Sequence, residues 1–415
     1  MQIKQLGDVA EYINGRAFKP IEWEKEGLPI IRIQNLTNSN NIVNRTTKSY
    51  EEKYFIKNGD LLFAWSASLG AYIWNGGDAW LNQHIFKIIP NADISKKYLY
   101  YFLLQVIDEL YSKTHGSGMV HIALKPFKST PIPVPSLDVQ KRIVERIESL
   151  FAKLDEAKEN LQNVLEGFET RKAAILHKAF TGELTANWRK QHGVSMDSWE
   201  EKRLGQVCKI NPSKINTKNL SDDLEVSFFP MASLSEITGE IVDPEIRTLG
   251  KVKNGFTNFS EGDVVFAKIT PCMENGKSAI IGKLINDIGY GTTEFYVLRC
   301  GEELSNKYLH HIVRSKKFRD EAKQNMTGAV GQQRVPKKYM EDYTLNLPTF
   351  SEQTEIVRII DDLLAKEQQA KELAENALAK IDLIKKSILA RAFRSELGTN
   401  NLADEPAVEL LKRVL

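Results

Sequence analysis

The sequence predicts an α+β fold in which two pseudo-symmetric globular domains are joined by two long helices forming an antiparallel coiled coil. Three observations predict it: an internal repeat running the length of the chain, strand-like runs inside each copy, and an apolar heptad seam after each copy. "QLGDV" at Gln5 to Val9 returns as "RLGQV" at Arg203 to Val207, and "KNGDLLFAW" from Lys57 returns as "SEGDVVFAK" from Ser260. "KKYLYYFL" from Lys96 is echoed by "NKYLHHIV" from Asn306, and "AILHKAFTGEL" from Ala174 by "SILARAFRSEL" from Ser387. Pro135, Gln140, Ile143, Val144 and Ile147 match Pro348, Gln353, Ile356, Val357 and Ile360. The order never scrambles, so one long unit has been duplicated; a repeat of this length means two domains, not a solenoid.

In chain order, residues 1–135 form the first globular domain. Short apolar or β-branched runs, Pro29 to Ile33, Leu61 to Trp65 and His84 to Ile89, lie between Gly, Asn and Asp turns, and a helix is expected over Ser95 to Ser112. Residues 136–184 form the first helical region, entered after "PIPVP" with Ser136 as N-cap. There Ile143, Ile147, Leu150, Leu154, Ala157, Leu161, Val164, Phe168 and Ile175 follow alternating three- and four-residue steps, a heptad seam. Residues 185–198 are the linker, the polar and aperiodic part of Thr185 to Glu201.

Residues 199–348 repeat the first domain, with runs Val226 to Met231, Asp263 to Ile269 and Glu294 to Leu298 and a helix over Ser305 to Gln324. Residues 349–415 form the second helical region and a C-terminal tail, with Ser351 as N-cap. Its seam of Ile356, Ile360, Leu363, Ala370, Ala374, Ala377, Ile381, Ile384 and Ile388 is broken by Glu367 where the first has Leu154, and Arg171 breaks the first where the second has Ile384. About 45 helical residues at about 1.5 Å each reach about 65 Å, longer than a small domain is wide, so the helices are expected to pair with each other. Connectivity makes that pairing antiparallel.

A net charge of +2 does not announce a nucleic-acid binder, so local clusters matter more than the sum. Cys208, Cys272 and Cys300 are far apart in sequence with no CxxC, which argues against a disulfide framework or a metal site. No apolar run approaches the roughly 20 residues of a membrane span, and the N-terminus lacks a signal-peptide core, so a cytoplasmic location is expected.

Catalytic motifs fail one by one. Gly276-Lys277-Ser278 would end a P-loop, but the glycine required five residues earlier is Pro271. Asn211-Pro212-Ser213-Lys214 lacks the second proline and aromatic of an amino-methyltransferase signature, and Gly116-Ser117-Gly118 is too short for a nucleophile elbow. His310 and His311 point to different helix faces. No catalytic residue and no metal site is therefore expected, which shifts the odds toward recognition.

The recognition candidates are planar or polar side chains at strand ends and in glycine-containing loops. The first domain offers Arg32, Gln34 and Asn35, then Ser66, then Asn82, Gln83 and His84, and Ser117, His121 and Lys125 in "HGSGMVHIALKPFK". The second offers Ser233, Lys268, Thr270, Thr292 and Thr293, and Gln332, Gln333, Arg334, Lys337 and Lys338 in "TGAVGQQRVPKK". Arg suits guanine, Gln and Asn suit adenine, and Lys suits phosphate. Any one of them is more often an ordinary solvated residue, but matched loops strengthen the functional reading. The frame recurs while these residues change: "AWSAS" becomes "AKITP", "NQH" becomes "TTE" and "MVHIAL" becomes "VGQQRV", so two different half-sites are expected.

Taken together, "PIIRIQNL", "LNQHIFKI", "GSGMVHI", "IPVPSLDVQKRIVERIESLF", "AILHKAFTGEL" and "ARAFRSELGTNNLADEPAVELLKRVL" resemble the specificity (S) subunits of Type I restriction-modification systems over essentially the whole chain. The resemblance implies two target recognition domains, each reading half of a split site in double-stranded DNA, held by antiparallel helices that set the spacer. It also implies two partner modification subunits that methylate adenine N6 from S-adenosylmethionine. Restriction subunits, whose presence the sequence leaves open, would carry ATP- and Mg-dependent translocation and cleavage. This chain would bind no cofactor itself, and its helical regions with the Phe180 and Phe393 segments would bear on subunit docking. The expected function is that of a non-catalytic subunit reading a bipartite asymmetric site and directing its partners there. The alternatives are a stand-alone DNA-binding or scaffold protein and an enzyme with an unrecognised site.

Overall fold

Leu61–Ala64 is buried at all four positions because the strand divides two cores. Leu61 and Phe63 point into one apolar cluster, and Leu62 joins Ile31, Ile56, Leu81 and Ile85 in another. The turn ahead of it is closed by the Lys57 N–H, which donates to Asp60 Oδ2 at 3.0 Å, with Gly59 at φ 89° where a side chain would be strained. The second copy repeats the device: Val264–Ala267 is buried throughout, Ser260 N–H donates to Asp263 Oδ2 at 2.8 Å, and Gly262 has φ 83°.

The computed structural model describes residues 2–37, 41–112, 121–329 and 331–398. In the first domain an antiparallel sheet has the strand order Ala10–Asn14, Ile85–Pro90, Leu61–Ala64, Gly70–Ile73. A second sheet has the order Asn44–Thr46, Leu28–Ile31, Ala79–Leu81, Phe55–Ile56, with its middle pair parallel. Gln2–Gln5 pairs with Pro131–Val134 to bring the domain's ends together. The second domain reproduces each pairing: Cys208–Ile210, Phe295–Cys300, Val264–Ala267, Ser278–Ile280, then Glu245–Thr248, Glu225–Phe229, Gly289–Gly291, Thr257–Phe259, then Glu200–Arg203 with Thr344–Leu347. The strand-like runs read from sequence fall on these strands with their ends shifted by a few residues.

The chain divides into two compact units, one joining residues up to Asn163 to those from Ala374, the other comprising Val164–Leu373. In the first unit, the domain helix Lys96–Ser112 runs beside the linking helix Leu137–Glu166: Ser95 N–H donates to Gln140 Oε1 at 2.7 Å, and Tyr101 meets Phe151 edge-on at 5.9 Å. Against the closing helix Phe350–Phe393 it runs the other way, with Tyr98 on Phe393 at 5.1 Å and Asp108 accepting from Lys386 at 2.8 Å. The linking and closing helices are therefore antiparallel there, and Lys385 bonds Asp155 at 2.6 Å. Ile143, Ile147, Leu150 and Leu154 share one cluster with Ile381, Ile384 and Ile388 and with the domain helix. The helices thus pack both on each other and on the domain.

The second unit has the same arrangement. Ser305 N–H donates to Gln353 Oε1 at 2.8 Å, and Lys371 lies over Phe168 at 4.9 Å while Arg171 bonds Glu367 at 2.8 Å, again antiparallel. Gln140 and Gln353 are equivalent anchors, wholly buried, each donating Nε2 to Pro135 or Pro348 at 2.9 Å.

Four local expectations are revised. The helix expected over Ser305 to Gln324 is two, Asn306–Arg314 and Lys316–Gln324, because Ser315 turns extended and its hydroxyl accepts from Phe318 N–H at 3.2 Å. Ser351 lies inside the closing helix, whose cap is Thr349, accepting from Glu352 N–H at 3.4 Å. The polar stretch after Thr185 is not irregular: it contains the helix Ala186–His192, ended by Gly193 at φ 67°. Its Arg189 is buried against Glu352 at 2.5 Å, and Glu352 also accepts from Thr185 Oγ1 at 2.7 Å and Trp199 Nε1 at 3.0 Å. Ala157, Val164 and Ala370 on the heptad seams are exposed, so the seams are not buried along their whole length.

Candidate nucleic-acid interface

Where the central strand of the first domain ends, three separate segments are tied by main-chain bonds. Trp65 N–H donates to His84 O at 3.0 Å and Ile122 N–H donates to Trp65 O at 3.0 Å, with Ser66 and His121 paired as an isolated bridge. The second domain repeats the frame: Lys268 N–H donates to Glu294 O at 2.9 Å, Val335 N–H to Lys268 O at 2.9 Å, and Ile269 pairs with Arg334. Trp65, His84 and His121 therefore occupy the positions of Lys268, Glu294 and Arg334. This corrects the sequence alignment of the last loop, which set His121 opposite Gln332, two residues too early.

The same frame carries different chemistry. In the first domain the Trp65 indole stacks on Phe86 with centroids 5.7 Å apart, donates Nε1 to Asn14 Oδ1 at 3.0 Å, and meets the His84 ring edge-on at 4.9 Å. His84 sits at φ 76°, and burial lowers its pKa, favouring the neutral ring; its Nδ1 is enclosed without a partner among the described residues. In the second domain Arg334 grips Glu294 with Nε and Nη2, both at 2.9 Å, and holds that carboxyl below the usual carboxylate range. The Lys268 ammonium lies 5.5 Å from the Tyr296 ring. One surface is aromatic and imidazole-bearing, the other ionic.

The remaining candidates divide by what holds them. Arg32 is half-buried with its guanidinium 5.7 Å from the Trp23 ring, and its N–H donates to Asn35 Oδ1 at 3.1 Å. The Gln34 and Asn35 amides donate to Ile42 O at 3.5 and 3.3 Å, shaping the turn after Leu28–Ile31. Asn82 is buried, its N–H on Ile31 O at 3.0 Å, while Gln83 is exposed with its N–H on Arg16 O at 2.8 Å. Ser233 is buried and its hydroxyl donates to Asp243 O at 2.9 Å, so it turns away from the surface. Thr270 bonds Glu274 through its hydroxyl, and its N–H donates to Gln333 O at 3.0 Å. Thr292 Oγ1 accepts from Glu294 N–H at 3.2 Å. Ser66 is buried; His121, Lys125, Thr293, Gln332, Lys337 and Lys338 are exposed, Lys337 with Glu341 at 3.0 Å. Ser117 lies outside the described residues.

Arg16 was missed by the sequence reading. Its guanidinium lies 4.2 Å from the Tyr50 ring and bonds Glu22 at 2.8 Å, and its backbone pairs with Asn82, which puts a half-buried cation beside the candidates. The signal available was Gly15, whose added Cβ would lie 2.1 Å from Asn82 O, a close backbone approach just before a cation.

The recognition candidates do not line the cleft behind the second domain's helix Asn306–Arg314. That cleft, of about 900 Å³ in the Val164–Leu373 unit, is bordered by Lys172, His310, Arg314 and Asp361. Burial, then Arg314 and His311, push the His310 pKa down to about 3, and its Nε2 has no partner among the described residues. His311 bonds Asp361 at 2.9 Å, and both histidines border this cleft with ring centroids 6.4 Å apart, which revises the expectation that they point to different helix faces. Among the described residues no group of three or more His, Cys, Asp or Glu is placed to hold a metal, and no helix is long and apolar enough to cross a membrane.

The profile of the family described as Type I restriction modification DNA specificity domain matches residues 1–167 and 196–376, one match on each copy of the repeat. The EcoEI and EcoAI specificity subunits of Type I restriction enzymes from Escherichia coli are each 35% identical over 260 residues, 52% of this chain. In those matches the chain spans 43% and 44% of the relatives' lengths. The EcoBI specificity subunit of Escherichia coli is 25% identical over 430 residues, covering 97% of this chain and 87% of that one. The crystal structure of the HsdS subunit from Thermoanaerobacter tengcongensis superposes with a TM-score of 0.62 at 19% identity, covering 95% of this chain and 97% of that one, a likeness of fold.

Proposed function

The chain belongs to the family of Type I restriction-modification DNA specificity domains, and from that premise we propose that it is a non-catalytic subunit reading a bipartite, asymmetric site in double-stranded DNA. The observation that carries this reading is the matched frame. Three positions tied by the same main-chain bonds bear Trp65, His84 and His121 in one domain and Lys268, Glu294 and Arg334 in the other. Two readers of one backbone shape with different donors, acceptors and charges select different base pairs, so the two halves of the site differ.

Each half is read by the candidates of its own domain. In the second, the Arg334 fork is held by a carboxylate, and engaging guanine O6 and N7 exchanges one bidentate partner for another. A wrong base leaves Arg334 on Glu294 with nothing gained, which sharpens discrimination. The domain limits follow the repeat: recognition domains at 1–135 and 199–348, a first helical region at 136–184, a second helical region with the C-terminal tail at 349–415, and the connection at 185–198. The helical regions dock two modification subunits, which bring S-adenosylmethionine; restriction subunits bring ATP and Mg. The assembly works in the cytoplasm, where its DNA lies.

Methylome sequencing of cells carrying this chain with its neighbouring modification gene tests the proposal. The expected result is one methylated motif with two unequal halves around a fixed unspecific spacer. A palindromic or contiguous motif, or none, overturns it.

A further inference from the structure

The cysteines that are far apart in sequence are not all far apart in the fold. Cys208 and Cys300 face each other across the antiparallel pair of Cys208–Ile210 with Phe295–Cys300. Gly301 N–H donates to Val207 O at 2.8 Å, a bond that flanks the pair, so Cys208 and Cys300 occupy a non-hydrogen-bonded position. There the Cα atoms of opposed residues approach to about 4.5 Å with their side chains on one face. That separation lies within the roughly 4.4 to 6.8 Å that a disulfide bridges. Both side chains belong to the same apolar cluster, Cys208 buried and Cys300 half-buried.

We propose that Cys208 and Cys300 form a redox-convertible dithiol, closed to a cross-strand disulfide by a low-molecular-weight disulfide of the glutathione class. The half-buried Cys300 thiolate attacks that disulfide, breaks its S–S bond and releases one thiolate. The Cys208 thiol gives its proton to the released thiolate and attacks the Cys300 sulfur. A Cys208–Cys300 bond forms and the second small thiol leaves, so two protein thiols are oxidised and one disulfide is reduced to two thiols.

The environment assigns the two roles. The thiols are within hydrogen-bonding reach, and that bond followed by burial pushes the Cys208 thiol above its usual range, so Cys300 attacks first and Cys208 resolves. The repeat supplies an internal comparison, because the corresponding pair in the first domain is Ala10 and Pro90. The bridge is a property of the second domain alone, and it staples an edge strand to the strand that starts beside Glu294. Cys272, in the turn after Val264–Ala267, has no such partner and serves as a control.

The test equilibrates the full-length chain in reduced and oxidised glutathione at varied ratio, quenches with acid, alkylates, and maps the peptides by mass spectrometry. Two of the three thiols are expected to disappear together, giving a Cys208–Cys300 linked peptide with Cys272 alkylated. The Cys272→Ser variant, which leaves the pair untouched, is expected to respond identically, and Cys300→Ser to give no intramolecular link. A persistent glutathione adduct on Cys300 with Cys208 still alkylated overturns the proposal. So does a link to Cys272 or to a second copy of the chain, or survival of both thiols where Cys272 is oxidised.

Discussion

Arg171 Nε donates to Glu367 Oε2 at 2.8 Å, so the two residues that interrupt the apolar seams are each other's partners. Each break looks like a defect when its helix is read alone; together they form an ion pair in the Val164–Leu373 unit. At the corresponding positions of the other unit stand Ile384 and Leu154, both buried in one cluster.

Replacing either partner alone removes an attraction and strands a half-buried charge. Arg171→Ile and Glu367→Leu are each expected to lower unfolding free energy by about 1 kcal/mol, a modest figure because both groups keep contact with water. The double variant, which installs the residues of the first unit, is expected to match or exceed the unsubstituted chain. Urea midpoints of the four proteins check this; a double variant as weak as the sum of the singles counts against it.

Glu352 is completely buried and holds Arg189, Thr185 and Trp199. Glu352→Ala leaves the Arg189 guanidinium enclosed without its carboxylate, and a loss of about 3–5 kcal/mol is expected. Hydrogen exchange should show Ala186–His192 as the first segment to lose protection; unchanged protection there would refute the assignment.

His310 ties stability to acid. Its folded pKa of about 3 lies below the ordinary 6.5, so between those values the unfolded chain binds a proton that the folded one refuses. Stability from this residue is complete above about pH 6.5 and falls as pH drops toward 3. Its full extent is of order 5 kcal/mol at about 1.4 kcal/mol per pH unit. His310→Tyr, which installs the residue of the first copy at Tyr100, is expected to flatten the stability profile over that window. Denaturant titrations at stepped pH measure it.

Arg334→Ala is expected to weaken binding to the full site by ten- to a hundredfold, about 1–3 kcal/mol, and to relax only the second half-site. His121→Ala should touch only the first. Competition binding against single-base variants of each half separates the effects, and equal relaxation of both halves by one substitution would contradict the division of labour.

Local patterns were legible wherever the cause is local. Leu61–Ala64 and Val264–Ala267 announce themselves as apolar runs behind a Gly-Asp turn, and Gln140 and Gln353 stand out as repeated polar residues on apolar helix faces. What escaped depends on the partner. Ser233 looks like a surface hydroxyl until Asp243 O is seen beneath it, and Cys208 meets Cys300 only through strand register. The equivalence of His121 with Arg334 was hidden because the loops before them differ in length, which no local pattern records. Arg189 sits in a polar stretch whose order comes from a carboxylate on the closing helix, far along the chain.

The bonds that tie Trp65 to His84 and Ile122, and Lys268 to Glu294 and Val335, use main-chain atoms only. At the half-buried positions 65, 84, 268 and 294 mutation can therefore change the surface without breaking these bonds, whereas Ile122 and Val335 are buried in the core and keep apolar side chains. A single veto survives. Residues 65 and 268 each supply an N–H group to this frame, so proline is excluded at both. New specificities are open through the other residue types at those two sites, and a screen of all substitutions at 65 and 268 should find proline the least tolerated.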